Sequence, residues 1–175
     1  MKKYLHIIDQ VSPNFTYQTI LLINGALSLK EQSKFITSDI KLLNKVPQYD
    51  NVVFENDIVK YINNNYKKFD FIFIHAMNFS IKQLIRINSK AIRKVIWCVW
   101  GHDLYTINSS QKGWKKIKLK IKEYCKHIIL KNIYGVGIGF GYDAIEVRKK
   151  VGDNPRIFLM PYGYQKGMKE QYEKI

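Results

Sequence analysis

The chain has 175 residues, 46% of them hydrophobic and 14% aromatic, which suits one folded domain and argues against intrinsic disorder. Its 29 lysines and arginines against 14 acids give a formal charge of +15, which indicates an anionic partner. The alternative is that the many Lys, Ile, Asn and Tyr residues reflect the codon bias of an AT-rich genome. Cys98 and Cys125 lack CxxC spacing and no apolar run approaches ~20 residues, so a disulfide framework, a zinc site and a membrane-spanning helix are not expected.

Hydrophobic periodicity predicts an alternation of strands and helices along the chain. Short apolar segments predict seven strands, in chain order 4–8, 34–37, 51–54, 71–74, 94–100, 134–138 and 157–160. The predicted helices between them cover 15–29, 57–69, 80–92, 113–131 and 142–151. This order is typical of the α/β class with a Rossmann-like, doubly wound, mostly parallel sheet. We therefore predict one such domain over 1–161, followed over 162–175 by the start of an interdomain linker or a tail.

Polar residues follow three of the predicted strands. Asp9, His75 and the segment Gly101-His102-Asp103 each come directly after an apolar run. Ligands of open α/β sheets bind beyond the carboxyl ends of the strands, so we expect Asp9, His75 and Asp103 to lie near one another at that edge. A histidine there suits a general base acting on a hydroxyl. The competing interpretation is a structural histidine hydrogen-bonded to a neighbouring loop.

The most specific local signal is the segment 97–105, WCVWGHDLY. Trp97 and Trp100 are three residues apart on a predicted strand, so their side chains point to opposite faces. Aromatic rings beside a carboxylate suit sugar recognition, because the ring packs on C–H groups while the carboxylate accepts hydroxyl hydrogens. The alternative is that Trp97 belongs to the core and Asp103 caps the following turn.

This W-x-x-W-G-x-D-L-Y string closely resembles the motif of glycosyltransferase family 56, the 4-acetamido-4,6-dideoxy-galactose transferases of enterobacterial common antigen assembly. The residues that carry the resemblance are Trp97, Trp100, Gly101, Asp103, Leu104 and Tyr105. The resemblance implies a two-domain enzyme of the GT-B fold, of which this chain is the N-terminal, acceptor-side half and stops where the nucleotide-binding domain should begin. It also implies a dTDP-sugar donor and a polyprenyl-pyrophosphate-linked saccharide acceptor. The implied location is peripheral, on the cytoplasmic face of the inner membrane.

Candidate site residues follow from strand ends and from this resemblance. The catalytic candidates are His75, Asp103 and His102, with His75 favoured as base and Asp103 favoured for binding the acceptor sugar or orienting the base. The substrate-binding candidates are Asp9, Trp100, Gly101, Tyr105 and Gly139.

The alternating glycines at 135, 137, 139 and 141 do not have the G-x-G-x-x-G spacing of a dinucleotide site. We expect them to let a loop pass close to substrate or backbone. The chain also has no D-x-D triplet and no paired carboxylates at metal-binding spacing, so neither a metal nor a cofactor is expected.

Residues 112–131 predict a basic amphipathic helix. Apolar residues recur at a spacing of three or four, at Trp114, Ile117, Ile121, Tyr124 and Ile128. Lysines occupy much of the remainder, at Lys115, Lys116, Lys118, Lys120, Lys122 and Lys126. Such a helix is typical of an anionic membrane surface, with Trp114, Lys115, Lys116, Lys118 and Lys122 as the predicted contacts. Alternatively the apolar stripe packs on the sheet and the lysines are solvated, or the stripe points inward while the lysines face headgroups.

Two functions are therefore carried forward. The first is a glycosyltransferase that moves a fucosamine-type deoxyamino sugar to a lipid-linked saccharide. The second is a non-catalytic basic Rossmann-like module that binds anionic lipid or nucleic acid. No nucleic-acid fold signature accompanies the charge, so nucleic acid is not the expected partner. A second α/β domain encoded after Ile175 would favour the enzyme.

Overall fold

The structure is a computed structural model of the chain. It describes residues 1–8, 19–20, 23–24, 31–45, 49–100, 103–104, 113–139, 141 and 143–160. The predicted linker or tail at 162–175 lies outside these residues, as do the candidate site residues Asp9, Gly101, His102 and Tyr105.

Within the described residues the strands are β1 (Tyr4–Ile7), β2 (Ser33–Thr37), β3 (Val52–Phe54), β4 (Phe71–His75), β5 (Val95–Cys98), β6 (Gly135–Ile138) and β7 (Arg156–Leu159). The helices are α1 (Ile40–Lys45), α2 (Ile58–Asn65), α3 (Ile81–Arg86), α4 (Ser89–Ile92), α5 (Trp114–Leu130) and α6 (Asp143–Val151), with a 3-10 turn at Tyr66–Lys68. Residues 19–20 and 23–24 are also helical, inside the helix predicted over 15–29. The predicted alternation of strands and helices is confirmed.

All seven strands form one parallel sheet in the order β3-β2-β1-β4-β5-β6-β7. The chain thus winds outward from β1 in one direction through β3 and then in the other through β7. This is the strand order of a Rossmann-like doubly wound fold, as predicted. Because every strand is parallel, all carboxyl ends lie at the same edge.

Helical residues lie on both faces of the sheet, and the two faces are covered unequally. The larger core cluster joins alternate strand residues, such as Leu5, Ile72 and Trp97, to buried side chains of α2, α5 and α6. The smaller cluster lies on the opposite face and includes Ile20 and Phe35, with Leu43 of α1 packed against it. Towards β7 this second face carries half-buried aromatic rings around a concavity of about 400 Å³.

Two of the predicted helices are shorter or divided in the structure. Asp57 caps α2 by accepting from the Lys60 N–H, and the helix ends at Asn65 in place of the predicted Phe69. The single helix predicted over 80–92 is two helices, because Ile87 adopts an extended backbone and Asn88 caps α4. Helix α1 has six residues and was not predicted, since so short a segment shows no clear periodicity.

Candidate active site

Asp103 binds together the segments that follow β4 and β5. Its Oδ2 atom accepts hydrogen bonds from Trp97 Nε1 at 2.6 Å and from the Met77 backbone N–H at 2.9 Å. Its Oδ1 atom accepts from the Trp100 backbone N–H at 2.9 Å. The side chain is buried, so these charge-assisted hydrogen bonds are shielded from water. We call this group of four residues the Asp103 clasp.

Lys126 of α5 contacts two residues of the Asp103 clasp. Its Nζ atom donates to the Asp103 backbone carbonyl at 2.6 Å and lies 5.0 Å from the centre of the Trp97 ring. Burial lowers the pKa of Lys126, and the Asp103 carboxylate partly offsets this effect. The sequence places Lys126 with the lysines that line the solvent side of the helix, and that placement is wrong. Lys126 lies on the buried side of α5, where it contacts the face of the Trp97 ring.

His75 is bound by a neighbouring strand. Its Nε2 atom lies 3.1 Å from Nδ1 of His6 in β1, and both side chains are buried. The rings of Phe35 and Phe73 stack on His6, each with centroids 4.7 Å apart. Burial lowers the pKa of His75 to about 4, and burial together with His75 holds the pKa of His6 well below its ordinary value. Both rings are therefore neutral at pH 7, and His75 is a weak base.

His75 and the Asp103 clasp share one edge of the sheet but face opposite sides. Trp97 pairs in register with Ile74, so its side chain lies on the α5 side, whereas His75 is one residue further and points away. The loops themselves meet, because Met77 binds Asp103 only two residues after His75. The other two described candidates are half-buried at the same edge: Trp100 after β5 and Gly139 after β6.

Ala76 stands between His75 and Met77 in a left-handed conformation, with φ of 63°. A residue with a Cβ atom rarely adopts this conformation, and the cost is on the order of 1 kcal/mol. Hydrogen bonds hold both flanking peptides, from Ala76 N to the Cys98 carbonyl and from Met77 N to Asp103. Sequence reasoning missed this site because alanine gives no signal for a left-handed turn.

Two of the alternating glycines make room for side chains that lie against the sheet. Gly135 and Gly137 lie within β6, and a Cβ atom on them would collide with Phe158 and Met160 of the neighbouring chain segment. The absence of side chains at these two positions lets Phe158 and Met160 lie against β6. The expectation that a loop passes over these glycines is wrong for Gly135 and Gly137.

Helix α5 turns its apolar stripe outward. Trp114 and Tyr124 are each 66% exposed, and Ile117, Ile121 and Ile128 are about half exposed. The buried side of the helix consists of Lys126, Ile129 and Leu130 near its C-terminal end. The alternatives in which the stripe packs on the sheet or points inward are therefore wrong. A helix normally buries its apolar side, so an outward apolar stripe is unusual for a protein in water.

No model of a protein family, no curated protein and no solved structure matches the chain. Within the part of the chain that the structure describes, no cluster of His, Cys, Asp and Glu side chains is suited to hold a metal ion. None of the helices formed by those residues combines the length and hydrophobicity needed to cross a bilayer.

Proposed function

We propose that the chain is the acceptor-side domain of a glycosyltransferase that acts at an anionic membrane surface. The reaction would move a fucosamine-type deoxyamino sugar from a dTDP-sugar to a polyprenyl-pyrophosphate-linked saccharide. A second α/β domain would hold the nucleotide. The observation that carries this proposal is the Asp103 clasp, in which Trp97, Trp100 and Asp103 of the family-like string form one hydrogen-bonded unit. The unit lies at the carboxyl edge of a Rossmann-like sheet, where such folds bind their ligands.

Within this proposal Asp103 is a positioning residue. Both of its carboxylate oxygens already accept hydrogen bonds from protein donors, so its role is to hold the two loops in place. His75 is a poor candidate for the base, because a group with a pKa of about 4 accepts a proton weakly at pH 7. His102, which directly precedes Asp103 in the chain, becomes the first residue to test as the base.

Acceptor binding tests the enzymatic part of this proposal. We expect the chain to bind the lipid-linked saccharide, measured by calorimetry in detergent, and to show no affinity for the dTDP-sugar. His102→Ala should leave acceptor binding and the melting temperature unchanged but remove transfer once the second domain is supplied. Failure of the folded chain to bind the acceptor, or transfer at the native rate by His102→Ala, would contradict the respective assignment.

Helix α5 supports the proposed location at the membrane. The outward stripe can enter the interface between headgroups and acyl chains, and lysines on both sides of it can contact acidic lipid. Ile117 and Ile121 are 47% and 45% exposed, so burial of their remaining surface would contribute about 2 kcal/mol in total. We therefore expect the double substitution Ile117→Ser and Ile121→Ser to weaken vesicle binding by about 30-fold.

Vesicle binding tests this location directly. Trp114 fluorescence should shift to the blue with anionic vesicles, and added salt should reverse the shift because it screens the lysines. Equal binding to neutral vesicles, or no response to salt, would contradict the location. Vesicle binding without acceptor binding would favour the second candidate function, a non-catalytic module for anionic lipid, which the surface of α5 supports by itself.

A further inference from the structure

A basic groove of about 600 Å³ runs between α3 and α5. Four lysines line it, Lys82 on α3 and Lys115, Lys118 and Lys122 on α5. Its other walls include the aliphatic side chains of Ile81 and Leu119. We call this feature the lysine groove.

The lysine groove lies on the side of α5 that would ordinarily be apolar. Lys115, Lys118 and Lys122 recur at spacings of three and four, so they share one side of the helix, and that side faces α3. The described residues that line the groove include no acid. The ion pairs among the described residues lie elsewhere, at Arg86–Asp57, Arg148–Asp153 and Lys149–Glu146. Four lysines thus line the groove, and none of its described lining residues is a carboxylate that could neutralise them. The Nζ atom of one of them, Lys118, lies 6.0 Å from the centre of the Trp114 ring of the apolar stripe.

We propose that the lysine groove binds the phosphate or diphosphate group of a membrane lipid. Ammonium groups are common phosphate ligands, and several that converge on one anion contribute charge-assisted hydrogen bonds. The apolar stripe of α5 adjoins the groove, so one helix offers both a phosphate site and a surface for hydrocarbon. This proposal rests on the membrane location proposed above and identifies the lipid group that is recognised.

The groove and the candidate active site are connected along the chain. Ser80, which lines the groove, follows Met77 by three residues, and Met77 is bound by Asp103. Lys126, which supports the clasp, is on the same helix as three of the four lysines. A lipid phosphate in the groove would therefore hold its attached group beside the carboxyl edge of the sheet.

Charge-matched vesicles test this inference. One set is phosphatidylcholine with phosphatidic acid, which exposes a phosphomonoester, and the other is phosphatidylcholine with oleate, adjusted to the same surface potential. We expect the protein to prefer the phosphatidic acid vesicles by about tenfold or more, the effect of one charge-assisted hydrogen bond. The groove variant Lys82→Gln, Lys118→Gln and Lys122→Gln should lose this preference.

A matched control separates the groove from general charge. Lys116, Lys120 and Lys131 are exposed and do not line the groove, so changing all three to Gln removes the same charge. This control should keep the preference for phosphatidic acid, although its overall binding weakens. Loss of the preference in both variants, or no preference in the unmodified protein, would overturn the groove assignment while leaving membrane docking intact. Absence of binding to either vesicle would overturn membrane docking itself.

A soluble source of phosphate is distinguished by a separate measurement. Inorganic pyrophosphate should bind the free chain weakly and should compete poorly with the vesicles. Pyrophosphate binding that is as tight as vesicle binding, and is lost in the groove variant alone, would overturn the assignment of a lipid ligand. Circular dichroism of both triple variants should match that of the unmodified protein, because all the substituted side chains lie at the surface.

Discussion

Substitution of Asp103 by asparagine tests whether the clasp is structural. Asparagine keeps the size of the side chain but replaces one acceptor oxygen with an N–H donor group. The carboxylate accepts from Trp97, Met77 and Trp100, so the amide sets a donor against at least one of these N–H groups. Loss of one partner for a buried N–H costs about 1–3 kcal/mol, and the remaining hydrogen bonds lose their charge assistance. We expect a loss of about 3 kcal/mol in the free energy of unfolding.

Thermal and urea denaturation measure this loss. For a chain of this size, about 3 kcal/mol corresponds to a decrease in melting temperature of about 6–12 °C. Asp153→Asn is the control, because that carboxylate is 98% exposed and its contact with Arg148 is 3.7 Å long. The control should change stability by less than about 0.5 kcal/mol. A native melting temperature for Asp103→Asn, combined with lost acceptor binding, would show that the carboxylate acts on the ligand and would refute the structural assignment.

Two further predictions concern the other face of the sheet. The pKa of His75 is about 4, and that of His6 also lies below the ordinary 6.5, so both rings bind protons more weakly in the folded protein than in the unfolded chain. The free energy of unfolding should therefore be highest above pH 6.5 and should fall as the pH decreases to 4. The loss due to His75 alone should be about 3 kcal/mol. Urea unfolding across this range checks the slope, which His75→Asn should flatten; an equally steep slope in that variant would contradict the assignment. Gly135→Ala should destabilise by about 1–3 kcal/mol, because its Cβ atom would lie 2.8 Å from a backbone carbonyl that cannot move away. Gly137→Ala should cost less, since its main obstacle is a flexible methionine side chain, and equal losses in thermal melts would contradict this reasoning.

Much of the fold could be predicted from the sequence because buried parallel strands are continuous apolar runs. The segment 71–74 shows this directly, since no polar residue interrupts it. The fold class then follows from the alternation of strands and helices. Element boundaries are harder to predict, because an extended residue such as Ile87 and a cap such as Asn88 divide a helix without changing the apolar period.

The site could be predicted only in part. Strand ends placed His75 and Asp103 at one edge, but the His6–His75 contact depends on β1 lying next to β4, which periodicity does not specify. Lys126 has the same residue type and spacing as the exposed lysines of α5, and only its position under Trp97 distinguishes it. An amphipathic pattern likewise defines an apolar side of a helix but not the direction in which that side points.

The central position of β1 has a consequence for synthesis of the protein. This strand is made first, yet one of its two neighbours is β4, and the Lys3 N–H bonds Asp70 across 67 residues of chain. Closing so long a loop before the pairing is formed is entropically costly, and contacts of this kind slow folding. The nascent chain must therefore keep β1 unpaired on that side until β4 has left the ribosome. Strands β2 and β3 can add in turn on one side of β1, and β5, β6 and β7 can add in turn after β4, so the pairing of β4 with β1 is the one step that returns to a strand made much earlier.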